Sequence, residues 1–226
     1  MKKTLLAVAL AAALAPSFAN AEAGDVVVRL RATQVSPDTD SKLGKYAGSV
    51  LGNSSNLKVD DNTIPEIDFS YYITKNIAAE LILATGTRHK VTAFDTALGN
   101  VDLGKVDLLP PTLLAQWHFN PDQKFDPYVG AGVSYIYSLD KKLKLSDGSF
   151  AANPVPIKIS QDSWGVALQA GFDYNLEDKW LLNFDVKKIW FDTTVRADLH
   201  NGNGYTKIDK LDIDPWVVSV GFGKKF

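Results

Sequence analysis

The stretch PPTLLAQWHFNPDQKFDPYVGAGVSYIYS, residues 110–138, holds two alternating segments folded against each other across a short polar turn. In the first, Pro111, Leu113, Ala115, Trp117 and Phe119 share one parity, while Pro110, Thr112, Leu114, Gln116 and His118 share the other. Beyond residues 120–124, Val129, Ala131, Val133, Tyr135 and Tyr137 alternate with Tyr128, Gly130, Gly132, Ser134 and Ile136. Period two belongs to a strand, whose successive side chains point to opposite faces. One face is apolar and ends in aromatics; the other is small or polar. Strands that cross a membrane need about 9 to 11 residues with aromatic girdles at their ends, and both segments have these. The stretch reads as a membrane hairpin, repeated around a closed barrel.

Working outward, the same alternation recurs at residues 24–34, 64–73, 77–87, 163–174, 180–192 and from Trp216 onward, giving eight strands. The clearest case sets Trp164, Val166, Leu168, Ala170, Phe172 and Tyr174 against Ser163, Gly165, Ala167, Gln169, Gly171 and Asp173. Short turns fall at 74–76, 120–124 and 175–179, and longer loops at 35–63, 88–106, 139–161 and 193–209. Short connections on the periplasmic side and longer ones outside are the pattern of an eight-stranded antiparallel transmembrane β-barrel. Lys188 breaks the outward parity of its strand, so it must snorkel to an interface or mark a bulge.

At the N-terminus, Lys2 and Lys3 precede a small and apolar run that ends at Ala19-Asn20-Ala21, the order of a secretory signal peptide cleaved after Ala21. The domain division is therefore 1–21 signal peptide and 22–226 barrel. Loss of the two leader lysines takes the formal charge from −2 to −4, which argues against a nucleic-acid partner. There is no cysteine, so disulfides and thiolate metal sites are excluded.

Four pieces also resemble the outer membrane protein W (OmpW) family: LPPTLLAQWHF at 109–119, PYVGAG at 127–132, GTRHKV at 86–91 and DPWV at 214–217. The resemblance implies an eight-stranded barrel in the Gram-negative outer membrane, with a narrow hydrophobic channel for small apolar molecules. It also implies insertion by the barrel-assembly machinery through the C-terminal Phe226. Lys224 stands where such barrels usually carry an aromatic or aliphatic residue.

Sorted by strand direction, the inward parity divides in two. Toward the periplasm lie Asp68, Glu80, Gln116, His118, Gln169, Asp173, Asn183 and Asp185, with Arg29 and Lys187 nearer the middle. These charges must pair, because an isolated buried charge costs several kcal/mol, so the lower lumen should be plugged. Toward the exterior lie Ile64, Ala84, Leu108, Pro110, Ile136, Ile159, Ile189, Phe191, Ile213 and Val217, an apolar funnel suited to hydrophobic solutes. Pro65, Pro110, Pro111 and Pro215 fall in the outer halves of strands and each removes a ladder donor. They either open a lateral exit into the bilayer or simply end strands at the rim.

Catalysis, cofactors and metals are not expected. His118 reads as a satisfied lumen histidine, and His89 as a loop residue or a lipopolysaccharide contact through the flanking cations Arg88 and Lys90. Two functions remain: passage of small hydrophobic molecules, or a structural and adhesive barrel whose loops meet lipopolysaccharide, host surfaces, phage or bacteriocins. An empty funnel favours the first; a funnel filled by its own side chains or a folded loop favours the second.

Overall fold

The computed structural model describes residues 22–200 and 202–226, with the backbone alone at 140–142 and 149. The expected signal peptide lies outside the described residues. In chain order the elements are β1 (Val26–Ser36), α1 (Leu43–Leu51), β2 (Asn56–Val59), β3 (Asn62–Tyr72), β4 (Ile77–Ala84), β5 (Thr87–Thr96), β6 (Gly99–Leu109) and β7 (Thr112–His118). There follow β8 (Phe125–Leu145), β9 (Val155–Ile159), β10 (Asp162–Asn175), β11 (Trp180–Trp190), β12 (Asp192–Asp198), β13 (Tyr205–Asp212) and β14 (Trp216–Lys225).

Eight of these strands close a ring of antiparallel neighbours: β1, β3, β4, β7, β8, β10, β11, β14 and back to β1. Val26 and Phe226 exchange backbone hydrogen bonds at the closure, so the C-terminus completes the wall. Closure pairs the strand edges around most of the wall, as it must in the hydrocarbon, where an unpaired backbone group would cost several kcal/mol.

Side chains sort by the alternation read in the sequence. Trp164 is 67% exposed and Leu168 50%, both facing the lipid, while Arg29, Glu80 and Asp185 are fully enclosed in the lumen. Exposed Tyr71, Trp117, Phe125 and Trp180 form a belt at the periplasmic end, and Tyr137, Trp164, Trp190 and Trp216 one at the outer end. Lys188 snorkels to the outer rim, where its Nζ donates to the Asp214 carbonyl at 2.6 Å and lies over the Trp216 ring. Lys224 lies over Trp180 in the lower belt.

The four long connections are not the irregular loops expected. β8 runs on for 21 residues, β5 and β6 form a hairpin, and β2, β9, β12 and β13 extend the sheet beyond the outer belt. β-Bulges hide this continuity from a fixed-period reading. The β6–β8 register jumps between Asp107 and Leu108, leaving Leu139 as an extra residue, so the inward set on β8 changes from Ile136 and Ser138 to Leu143 and Leu145. A second core therefore sits outside the membrane, where Leu43, Ala47 and Leu51 of α1 pack against Leu57, Leu103, Leu145, Ile157 and Ile208.

Candidate functional site

Arg29 and Arg31 stand two residues apart on β1 and both point inward. Arg29 donates to Asp68 at 2.9 Å, to Ser70 at 2.7 Å, and to both oxygens of Asp173. Arg31 donates to Glu66, Glu80 and Asn183. Its Nε is also 3.1 Å from Asp68 Oδ2, an oxygen without a hydrogen bond, so that contact is electrostatic only. Gln169 donates to Glu80 and Asp185, both at 2.7 Å, and accepts from Gln116. Lys187 pairs with Asp185 at 2.6 Å and Glu66 at 3.5 Å. His118 Nδ1 is 2.7 Å from Asp126 Oδ2, with Tyr72 and Gln116 filling its remaining contacts.

All ten residues expected in the plug thus belong to one connected lattice. Buried charges lose their hydration, and such a lattice is tolerable only when each is repaid by partners. Two details differ from expectation. Arg29 sits low, level with Ser70 and Asp173, and Arg31 takes the middle position; Lys187 lies at the top, where it borders the space above. Glu66 and Tyr128 are further members, Tyr128 donating to Asp185 and accepting from Asn183. Their shared parity with Asp68 and Gly130 was the available signal. Gly171 makes room for Tyr128, since a Cβ there would lie 2.6 Å from the phenol oxygen.

Above the lattice is a chamber of about 1200 Å³, its open mouth included. Ile64, Ala84, Leu108, Pro110, Ile136, Ile159, Ile189, Phe191, Ile213 and Val217 all line it. The polar side chains on its wall include Thr33, Glu66, Thr112 and Lys187. His89 lines it too. The histidine is buried on the inward parity of β5, its Nδ1 2.8 Å from the Asp60 carbonyl, so it is not a loop residue. A second, smaller recess lies beneath α1 and shares Leu57, Leu103, Ile157 and Val195 with the first.

The prolines differ from one another. Pro215 accepts from Ile189 N–H and Pro65 pairs in register with Ala32 and accepts from Thr85 N–H, so the wall continues past both. Beside Pro110 and Pro111 it does not. The ladder joining β4 to β7 stops at Ile82 and Thr112, and pairing resumes only at Thr87 and Leu108 between β5 and β6. Neither proline has an N–H to bridge that interval. The seam lies beside the chamber, because Pro110 is part of its lining. Leu139, the bulge residue, lies over it, with one methyl 3.4 Å from where a Cβ on Gly86 would stand.

The OmpW family model covers residues 22–226. The chain belongs to the OmpW family. It is 34% identical to outer membrane protein W of Vibrio cholerae over the full length of both chains. Among solved structures, the outer membrane protein OprG from Pseudomonas aeruginosa superposes with a TM-score of 0.76 at 31% identity, covering 93% of this chain and 99% of that one. Outer membrane protein AlkL, solved in DMPC bilayers, gives 0.64 at 26% identity and 94% coverage of each chain. This OmpW-family chain is accordingly an outer-membrane β-barrel whose belt faces lipid.

Proposed function

We propose that the barrel passes small hydrophobic molecules through the outer membrane: a solute enters the upper chamber from outside and leaves sideways through the Pro110–Pro111 seam. The observation that carries this reading is an open apolar chamber closed below by fully paired charge. An apolar solute gains roughly 25 cal/mol for each Å² it removes from water in the chamber, whereas continuing downward would mean pulling apart the lattice around Arg29 and Arg31. The route of least cost is through the wall, where the ladder is already interrupted. A purely structural or adhesive barrel has no need of such a space.

The reading involves no catalysis, because His118 already has its partners in Asp126, Tyr72 and Gln116 and faces the plug rather than the chamber. Phe226, paired to Val26 at the closing seam, is the proposed contact for the barrel-assembly machinery.

The native chain has no cysteine, so a cross-link between cysteines placed at Thr85 and Leu109, which continue the β4–β7 register into the interval and leave both prolines in place, reports on the seam alone. Locking it should abolish uptake of an apolar fluorophore by cells carrying the barrel, and reduction of the cross-link should restore it. Unchanged uptake with the seam locked would rule out lateral exit.

A further inference from the structure

Six basic residues occupy adjoining register positions across the extracellular sheet. Lys90 of β5 is opposite Lys105 of β6, which is opposite Lys142 of β8. Lys158 of β9 is opposite Arg196 of β12, which is opposite Lys207 of β13. β8 and β9 pair at Leu143 and Ile157, so the next positions along that ladder are Lys142 and Lys158, and the two triplets join into one row. With strands about 4.8 Å apart, the row spans roughly 24 Å. On the five strands apart from β8, the flanking residues that point inward, such as Val91, Val106, Ile157 and Val195, are buried, so the basic side chains face away from the chamber.

Like charges directly opposite one another destabilise a sheet. This row repeats that arrangement across consecutive strands, in a chain that is acidic overall. Compensation within the protein is partial. Lys90 pairs with Asp102 at 3.0 Å, Lys158 lies 3.8 Å above the Tyr205 ring, and Lys207 lies 5.1 Å from the Tyr46 ring. Cation–π contact leaves the ammonium hydrogens directed outward. Among the described residues, no carboxylate forms an ion pair with Lys105 or Arg196. A row of cations held at fixed spacing on a rigid sheet suits a partner carrying several anionic groups.

Height identifies the partner. Lys142 lies five residues beyond Tyr137 of the outer aromatic belt, and Arg196 six beyond Trp190. At about 3.3 Å per residue and a strand tilt near 40°, the row stands roughly 12 to 15 Å above that belt. Lipid phosphates lie at the belt itself. The layer above it in the outer leaflet is the phosphorylated core sugar of lipopolysaccharide.

We propose that this row is a binding site for the phosphate groups of the lipopolysaccharide core oligosaccharide. Its function is to fix the extracellular sheet in the sugar layer. The site rests on the outer-membrane placement and not on what the chamber passes.

The test is a calorimetric titration of the full-length barrel in nanodiscs, at low salt, with three lipopolysaccharides: one with an intact phosphorylated core, the same material after phosphatase treatment of the core, and a truncated form lacking the core. A variant combining Lys105→Ala, Lys158→Ala, Arg196→Ala and Lys207→Ala should bind the intact form at least about tenfold more weakly, a change equivalent to 1.4 kcal/mol. Both proteins should bind the other two forms equally. A control with Lys75→Ala and Lys124→Ala, on periplasmic turns, should match the native chain. A more conservative variant, Lys105→Gln with Arg196→Gln, should show a smaller loss in the same direction. Folding of each is checked by its heat-dependent gel mobility. Equal affinity of variant and native chain for the intact core would overturn the proposal, as would native binding that is equally tight without core phosphates. So would equal binding of heparin, which would make the row a general polyanion surface.

Discussion

Arg29 on β1 grips Asp173 on β10 across the lumen, with Nε–Oδ1 at 3.1 Å and Nη2–Oδ2 at 2.5 Å, although β11 and β14 separate the two strands around the ring. The pair acts as a crossbar that ties opposite walls together. Removing Asp173 takes the bidentate carboxylate from the Arg29 guanidinium and leaves Asp68 at 2.9 Å and Glu80 at 3.8 Å to balance it; breaking a buried ion pair typically costs about 3–5 kcal/mol. Asp173→Ala should therefore lower unfolding free energy by that amount in urea titrations, and Arg29→Leu combined with Asp173→Leu should lower it less than Asp173→Ala alone. A double variant worse than the single one would show that the lattice gains net stability from the charges themselves.

The outward belt makes a depth prediction. Leu168 lies mid-strand and Trp164 at the outer rim of β10. An arginine at the bilayer midplane costs about 2–4 kcal/mol and near the interface about 0–1, so Leu168→Arg should destabilise the barrel in liposomes much more than Trp164→Arg. Equal costs would misplace the membrane.

The chamber should be sensitive to filling. Ala84 is buried on its wall beside the seam, and Ala84→Trp should cut apolar uptake about tenfold, equivalent to 1.4 kcal/mol, while leaving heat-dependent gel mobility unchanged. Uptake at the native rate would mean that solutes bypass this part of the chamber.

A pH dependence follows from the anchor of α1. Asp209 on β13 accepts from the Ser41 hydroxyl at 2.6 Å and the Lys42 N–H at 2.7 Å. Burial pushes its carboxyl above the ordinary 3.8, and the Ser41, Lys42 and Lys210 hydrogen bonds pull it back only in part. The closed loop thus binds a proton more readily than the opened loop, so closure is favoured most at low pH and weakens as pH rises from 3.8 through the raised value. Hydrogen exchange of the α1 amides, corrected for intrinsic rates, should be slower at pH 4 than at pH 7. Asp209→Asn, which cannot ionise, should lose the difference. Slower exchange at the higher pH would contradict this assignment.

The barrel was legible because its signal is local: Trp164 through Tyr174 alternate without a break, and inward parity alone brings Arg29, Asp173 and Gln169 together. The extracellular sheet was not, because bulges at Leu139 and between Val195 and Arg196 shift parity, so that residues on one wall fall out of phase. His89 lies in what reads as a loop because the β5–β6 ladder carries its own register shifts, between Val91 and Thr92 and between Ala93 and Thr96. α1 carries its buried face on only Leu43, Ala47 and Leu51, too few positions to stand out among the flanking polar residues. The break beside Pro110 needed the register of β4 to β7, which depends on neighbours distant in sequence.

The most direct measurement is a crystallographic soak with 1-iodonaphthalene, read by anomalous scattering from the iodine. Iodine among Ile136, Ile189 and Val217, lost in Ala84→Trp, is the expected result. Iodine confined to the outer surface of the belt, with the chamber empty, would contradict passage of hydrophobic molecules through the barrel.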